Sequence, residues 1–470
     1  MPSTTSPQDE MAPSTLDLLV ITFNCAKALI NPPIFAGHLQ TSFSQNASSL
    51  PDLVVFSLQE VAPMSYSFIG GYFLNPYFQR FEDALNLAAV QFEDDRQDVV
   101  SVTRTEQPKK PYSLVRARNV GYTAILFFAR DPDRLHNIQE AEVGFGAAEM
   151  GNKGAVGIRA LYEGTTGKET EVTFIATHLA AMEWNLARRN ANWAAIVRGM
   201  TFENPEVVIE KHREASPASS EDDNEAETAG LLHDEQHVDL QRQLHDISVF
   251  KPSSHLFVAG DLNYRISTTS PPPGAAFPSL DPESENHYLS FLARDQLTRE
   301  RKANRTLHGL SEAKINFPPT YKYDIKPGSE DENPEWSFAP HRYPSWTDRV
   351  LYLDTPSPSD ESVQVVAYDA LPVVATSDHR PVFLRASVPL IEPATLARSL
   401  TGADQSDPRV RLPVEIDPEA WERRVAARRK EAILGWTSFV WSTQEGAMIL
   451  GTVVALAAGC YWFLAAGAST

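Results

Sequence analysis

The chain has 470 residues, 42% of them hydrophobic and 10% aromatic, which excludes a disordered polymer and allows one large folded domain or two smaller ones. Two cysteines, Cys25 and Cys460, are too few and too far apart for a disulfide framework, so the folded body suits a reducing compartment such as the cytosol. A formal charge of −20 argues against nucleic acid as a partner, because such binding neutralises phosphates with Lys and Arg.

In chain order, LDLLVITF from Leu16 is a β-branched apolar run that stops at Asn24, and LVVFSL from Leu53 stops at Gln59 and Glu60. Continuous runs of this kind predict central strands buried on both faces. Glu60, just past its strand, offers a carboxylate for a hard cation such as Mg²⁺, which prefers oxygen ligands. MGNKGAVGIR sets Asn152 and Lys153 between Gly151 and Gly154; glycine lets backbone approach a phosphate and lysine supplies a point charge, although a plain hairpin turn explains the same letters. EVTFIAT from Glu171 predicts another strand, ending at His178, and Glu183 to Gly199 a helix.

From Glu203 to Leu240 twelve acids stand against Lys211 and Arg213, a local charge of −10, and the stretch reads as a disordered insertion over 203–240. HLFVA from His255 then leads into VAGDLNYRI. Asp261 and Asn263 are two residues apart and in an extended segment point the same way, one able to take a proton from water and the other to orient it. A further helix is expected over about His287 to Arg294, and Pro-rich surface turns at Ser270 to Pro273 and Thr355 to Pro358. PPTYKYD and RYPSWTDRVLY contribute Tyr321, Lys322, Arg342 and Arg349, aromatic and cationic groups suited either to a polyphosphorylated ring or to core and rim, together with Asp348. TSDHRPV pairs Asp378 with His379, an imidazole suited to proton donation near neutral pH.

Alternating strands and helices predict an α/β fold. Residues 393–420 read as a polar linker and 421–445 as a basic juxtamembrane segment carrying Arg423, Arg424, Arg428, Arg429 and Lys430. The 23 residues Gly446 to Ala468 carry no charge, and at about 1.5 Å rise each they span a bilayer core, so they are expected to form a single transmembrane helix. Basic residues on the body side of that helix place the body in the cytosol by the positive-inside tendency.

Singly these segments are weak signals. Their joint order, QE, GNKGAVGIR, HLAA…RRN, GDLNYRI, FPPTYKYD, PSWTDR and SDHRPV, closely resembles the inositol polyphosphate 5-phosphatase family, within the magnesium-dependent endonuclease/exonuclease/phosphatase superfamily. The resemblance runs from about Leu16 to Val388 and implies a two-sheet α/β sandwich flanked by helices, a catalytic domain over 16–390. It implies Mg²⁺-dependent hydrolysis of the 5-phosphate of phosphoinositides such as phosphatidylinositol 4,5-bisphosphate, with soluble inositol polyphosphates as further substrates. Carried over, Glu60 resembles the Mg²⁺ carboxylate with Asn24 beside it, Asp261 the group that activates water, and Asn263 the amide that positions it. His178 and His379 resemble donors to phosphoryl oxygens, with Asp348 and Asp378 in the same cluster. Tyr321, Lys322 and Arg342 resemble contacts to the neighbouring ring phosphate, and Asn152, Lys153 and Arg349 complete the expected substrate-binding set.

Two departures stand out: Pro340 occupies a place where many relatives have lysine, and Met182 the place of a second histidine after HLAA. The partners expected are a phosphoinositide headgroup and a membrane, by preference the endoplasmic reticulum, reached by a C-terminal tail anchor. The alternatives are a metal-dependent nuclease of the same superfamily and a catalytically inactive membrane scaffold. Charge disfavours the first, and retention of every expected residue type the second. No feature indicates an oligomeric state.

Overall fold

A computed structural model of the protein describes residues 15–95, 110–215, 238–354, 362–400, 404 and 406–467. Two six-stranded sheets face each other. The first follows the order β13-β14-β1-β2-β4-β3, built from β1 (Thr15–Asn24), β2 (Leu53–Gln59), β3 (Ser113–Val120), β4 (Thr123–Ala129), β13 (Gln364–Ala370) and β14 (Val382–Pro389). The second follows β5-β6-β7-β8-β12-β9, from β5 (Leu135–Gly144), β6 (Gly154–Glu163), β7 (Glu169–His178), β8 (His255–Asp261), β9 (Leu310–Ser311) and β12 (Asp348–Leu353). A small hairpin, β10 (Tyr323–Ile325) with β11 (Trp336–Phe338), stands apart.

The apolar runs expected to be central strands are β1, β2, β7 and β8, and their composition follows from the layering. In β1, Leu18 and Val20 enter the core between the sheets with Val55, Phe127, Phe174 and Phe257. The alternate residues Leu19, Ile21 and Phe23 pack under the outer helices against Phe35 and Phe81. Both faces are thus buried, so both need apolar side chains, each contributing about 1.5–3 kcal/mol. The helix expected from Glu183 begins at Leu186 and ends at Gly199, and that near His287 shrinks to Tyr288–Phe291 followed by one 3₁₀ turn.

Two segments depart from expectation. The acidic insertion is ordered at both ends, in the helix Pro205–Ala215 and in helical residues 238–247; its middle, like the turn Thr355 to Pro358 and the last residue of the expected span, Ala468, lies outside the described residues. The stretch read as a linker is laid against the body. Leu396 and Leu400 are buried, Leu412 and Val414 pack on the second sheet's outer core, and Asp417 N donates to Arg198 O at 2.9 Å. The scattered apolar residues of an otherwise polar segment are what hold it there. Beyond it, the helix Ala420–Ser442 packs on the body and the helix Gln444–Gly467 leaves it. Its residues Gln444–Leu464 have mean hydropathy 1.9 and all but Gly446 are exposed, so the helix is long and apolar enough to cross a membrane.

Acid is expected to loosen this fold. His255, at the start of β8, is buried, and burial pushes its imidazole down from 6.5 to about 4. It therefore stays neutral in the fold while the unfolded chain takes up a proton below pH 6.5, so stability falls as pH drops through this window and levels off below about 4. That one group accounts for about 3 kcal/mol of the loss. Urea melts between pH 7 and 4 check it; a midpoint flat across that range, or one replicated by His255→Gln, contradicts the assignment.

Candidate active site

Five strand ends meet on one edge of the sandwich. β1 and β2 run parallel with Asn24 opposite Gln59, and β7 and β8 run parallel with His178 opposite Asp261. β12 is antiparallel to β8 and starts here, with Asp348 opposite Asp261. His178, Asp261 and Asp348 are therefore neighbours in one register row, held by strands that tolerate little displacement.

Asp261 is the centre of this row. Its Oδ2 accepts from Asn24 Nδ2 at 3.1 Å and lies 3.3 Å from His178 Nε2 and 3.9 Å from His379 Nε2. Its Oδ1 accepts from the backbone N–H of Asn263 at 3.1 Å. Burial works against the ionised carboxylate, but the charge of His379, the hydrogen bond from His178 and the charge of Lys153 together hold it far below the usual range. Asn263 takes a left-handed backbone at φ 58°, which asparagine tolerates, and its side chain is fixed by Nδ2 donating to Leu179 O at 3.2 Å and by Arg265 donating to its Oδ1.

His379 Nδ1 lies 2.9 Å from Asp348 Oδ2, which also accepts from Thr320 Oγ1 at 2.7 Å and Thr347 Oγ1 at 2.8 Å. Burial lowers the imidazole's pKa, yet Asp348 and Asp261 outweigh it and raise His379 to about 9. It is an imidazolium at neutral pH. His178 is the opposite case: burial and the neighbouring Lys153 charge depress it, and Lys153 Nζ contacts its Nε2. Lys153 is itself pushed down to about 8 by burial, against the pull of Asp261 and Glu60.

Glu60 follows β2 with φ 46°, a left-handed conformation that costs a non-glycine residue of order 1–3 kcal/mol and is found at functional turns. Its carboxylate pairs with Lys27 at 2.9 Å, and despite burial the Lys27 bond and the charges of Lys153 and Lys27 keep it ionised. The donors at this edge suit a hard cation. Cys25, the one thiol nearby, is driven far above its ordinary pKa by burial and by Glu60, so it offers no thiolate, whereas Glu60, Asp261 and Asp348 offer carboxylate oxygens. Asp261, Asp348 and His379 bring one ligand atom each within 4.8 Å, and buried Asp348 Oδ1 has no hydrogen-bond partner among the described residues. Asn24 presents its amide nitrogen to Asp261 while its Oδ1 accepts from Ala26 N at 3.1 Å.

Beside the row, the Tyr321 ring lies 4.5 Å from that of His379 and the Lys322 ammonium pairs with Asp378. Arg342 is nearby but held: its Nη1 is 3.2 Å from Glu183 and donates to Ser270 Oγ at 3.1 Å. Asn152 is half-buried, and its Oδ1 has no hydrogen-bond partner among the described residues. Arg349 is a correction. It is fully buried between Asp295, 3.1 Å away, and Glu312, which takes two of its guanidinium nitrogens, so it is a core ion pair and not a substrate contact. Arg265, inside GDLNYRI, is a site residue that no spacing or periodicity in the sequence marks. It is buried, bonds to Asn263 and lies 4.2 Å over Tyr321, joining the two halves of the site.

A family model described as endonuclease/exonuclease/phosphatase family 2 matches residues 21–385. Polyphosphatidylinositol phosphatase INP53 of Saccharomyces cerevisiae is 28% identical over 341 residues, covering 71% of this chain and 23% of the relative. Phosphatidylinositol 3,4,5-trisphosphate 5-phosphatase 2B of Danio rerio is 28% identical over 263 residues, 55% of this chain and 17% of the relative. This chain thus spans less than a quarter of the length of either. The inositol polyphosphate 5-phosphatase domain of SPsynaptojanin, solved with inositol (1,4)-bisphosphate and a calcium ion, superposes with a TM-score of 0.53 at 21% identity, over 83% of this chain and 90% of that one. That likeness establishes the two-sheet fold.

Proposed function

The chain belongs to endonuclease/exonuclease/phosphatase family 2, and from that premise we propose that it is a phosphoric monoester hydrolase that removes the 5-phosphate of a phosphoinositide such as phosphatidylinositol 4,5-bisphosphate. The observation that carries the reading is the buried Asp261 carboxylate, 3.3 Å from His178 Nε2 and 3.9 Å from His379 Nε2. The names of the curated relatives supply the substrate class.

A water beside Asp261 gives up its proton to the carboxylate as it attacks phosphorus, and Asn263, locked by Leu179 and Arg265, orients it. Lys153 and His178 donate to the phosphoryl oxygens. His379, held by Asp348, protonates the departing inositol oxygen. Lys322 and Tyr321 flank the place where a neighbouring ring phosphate fits, and Arg342 reaches it only by leaving Glu183. Magnesium, the divalent cation we assign to Glu60 and Asn24, would supply electrostatic stabilisation of the transferring phosphoryl group.

We further propose that Gln444–Leu464 crosses a membrane, the endoplasmic reticulum by preference, with the body in the cytosol. Its length, its mean hydropathy of 1.9 and the exposure of every residue but Gly446 support this. Full-length protein should resist carbonate extraction, and protein cut after Gln444 should not; pelleting of the truncation under carbonate would sink the anchor.

The activity is tested by phosphate release from a panel of inositides against nicking of plasmid DNA, each with Mg²⁺ and with EDTA. Release that stops with EDTA and returns with Mg²⁺ is expected. Nicking without release favours the nuclease, and release indifferent to EDTA removes the metal.

A further inference from the structure

The helix Ala420–Ser442 lies outside the sandwich, yet it reaches the catalytic edge. Its buried side is a stripe at four-residue spacing, Ala427, Glu431, Gly435 and Phe439. A carboxylate in such a stripe is costly unless it is paired. Glu431 is 2% exposed, and both its oxygens are engaged by Arg424, at 2.8 and 2.9 Å. Arg424 is braced in turn by Glu142 at 2.8 Å. Glu431 Oε1 also accepts from the backbone N–H of Gly151 at 2.7 Å.

Gly151 opens the turn that carries Lys153 to His178. The turn is clamped on its other side as well: Gly151 O accepts from Tyr122 N at 3.1 Å, and Tyr122 O accepts from Val61 N at 3.2 Å, one residue past Glu60. No side chain fits at Gly151, where a Cβ would come within 2.6 Å of Gly121 N. Gly435 lies against the helix Met64–Ile69, a Cβ there meeting Ile69 N at 2.9 Å, and Phe439 packs on Phe73 with ring centroids 5.3 Å apart. The helix thus touches the Lys153 turn directly and the Glu60 turn through two backbone hydrogen bonds.

We propose that the helix Ala420–Ser442 is a positioning element of the catalytic edge, with Glu431 as the positioning residue that fixes the Gly151–Gly154 turn and, through it, Lys153 against His178. The inference rests on the phosphatase reading for its kinetic consequence but not for its structural one. Since the next helix is the proposed membrane span, the body is not free to swing on a flexible tether. Its active edge keeps one bearing relative to the span's first turn, broken only at Thr443.

The test uses the full chain and a soluble short-chain inositide, so that membrane contact is not what is read. Glu431→Ala should lower kcat roughly tenfold with KM little changed, the scale of loss expected when a catalytic group is displaced by a fraction of an ångström. Glu431→Gln, which keeps an oxygen for Gly151 N, should recover most of it. In a Lys153→Ala background the same Glu431→Ala change should cost less than about twofold, because both act through one side chain. A loss of equal size in both backgrounds, or normal kcat with only a lower Tm, overturns the proposal. Should Glu431→Ala fail to fold, Gly435→Val displaces the helix without stranding Arg424, and its kcat, in the same two backgrounds, is read by the same criteria. Hydrogen exchange decides independently of turnover: residues 151–154 should exchange faster in Glu431→Ala than in wild type or Glu431→Gln, and equal rates overturn the proposal. Wild-type protein that releases no phosphate yet shows this exchange pattern fails the phosphatase reading alone.

Discussion

Asp261→Asn is expected to lower kcat by roughly 10²- to 10⁴-fold, the loss typical for removal of a general base. The substitution preserves shape. An asparagine Oδ1 still accepts from Asn263 N, and β8 keeps its pairings with β7 and β12. What disappears is the charge that faces His178 and His379 and the acceptor for water's proton. Two measurements separate chemistry from folding: phosphate release under saturating substrate, and thermal unfolding of the same preparation. A folded variant with near-normal kcat would falsify the assignment of Asp261.

Asp348→Asn should come second in size, again on the order of 10²- to 10⁴-fold in kcat, for a different reason. Asp348 touches no reacting atom in the proposed mechanism. Its Oδ2 gathers His379 Nδ1, Thr320 Oγ1 and Thr347 Oγ1 within 2.9 Å, and this holds the charged imidazolium in the orientation that turns Nε2–H toward the substrate. An amide at this position presents either a donor to Nδ1 or a weaker acceptor, and the ring loses both its orientation and its charge partner. Asp348→Glu is the complementary variant: it keeps the charge but moves it, and should remain well below wild type. Single-turnover rates are the appropriate measurement, since KM is expected to change little. A variant Asp348→Asn that turns over within about threefold of wild type would leave His379 without its proposed support.

Much of this architecture was legible in the sequence because the relevant signals are local. A strand buried on both faces needs a continuous apolar run, and a residue at its end inherits a fixed place. So LDLLVITF, LVVFSL, EVTFIAT and HLFVA located the sandwich's centre, and Asn24, Glu60, His178 and Asp261 came with them. The spacing of Asp261 and Asn263 predicts one extended face, whereas the chain leaves the strand at Asp261 and turns through φ 58° at Asn263. The pair still meets, by a backbone hydrogen bond that no periodicity encodes.

The misreadings share one physical cause, partners distant in sequence. Arg349 looks like an exposed cation in PSWTDR, but Asp295 and Glu312, 54 and 37 positions away, neutralise it in the core. Arg424 belongs to a basic run that reads as a juxtamembrane segment, yet Glu142, 282 positions earlier, draws it into a half-buried clamp on the body. The segment 393–420 is polar on average and reads as a linker, although a few leucines suffice to seat it. Arg265 and Tyr321 are joined by stacking, which leaves no trace in spacing.

The central claim, hydrolysis of an inositide 5-phosphate at the Asp261 edge, is tested most directly by identifying the product formed from phosphatidylinositol 4,5-bisphosphate by the Mg²⁺-supplied wild-type protein, with Asp261→Asn as control. The account predicts that the wild type yields phosphatidylinositol 4-phosphate and one inorganic phosphate and that the control yields almost none. Accumulation of phosphatidylinositol 5-phosphate, or equal product from the control, would contradict it.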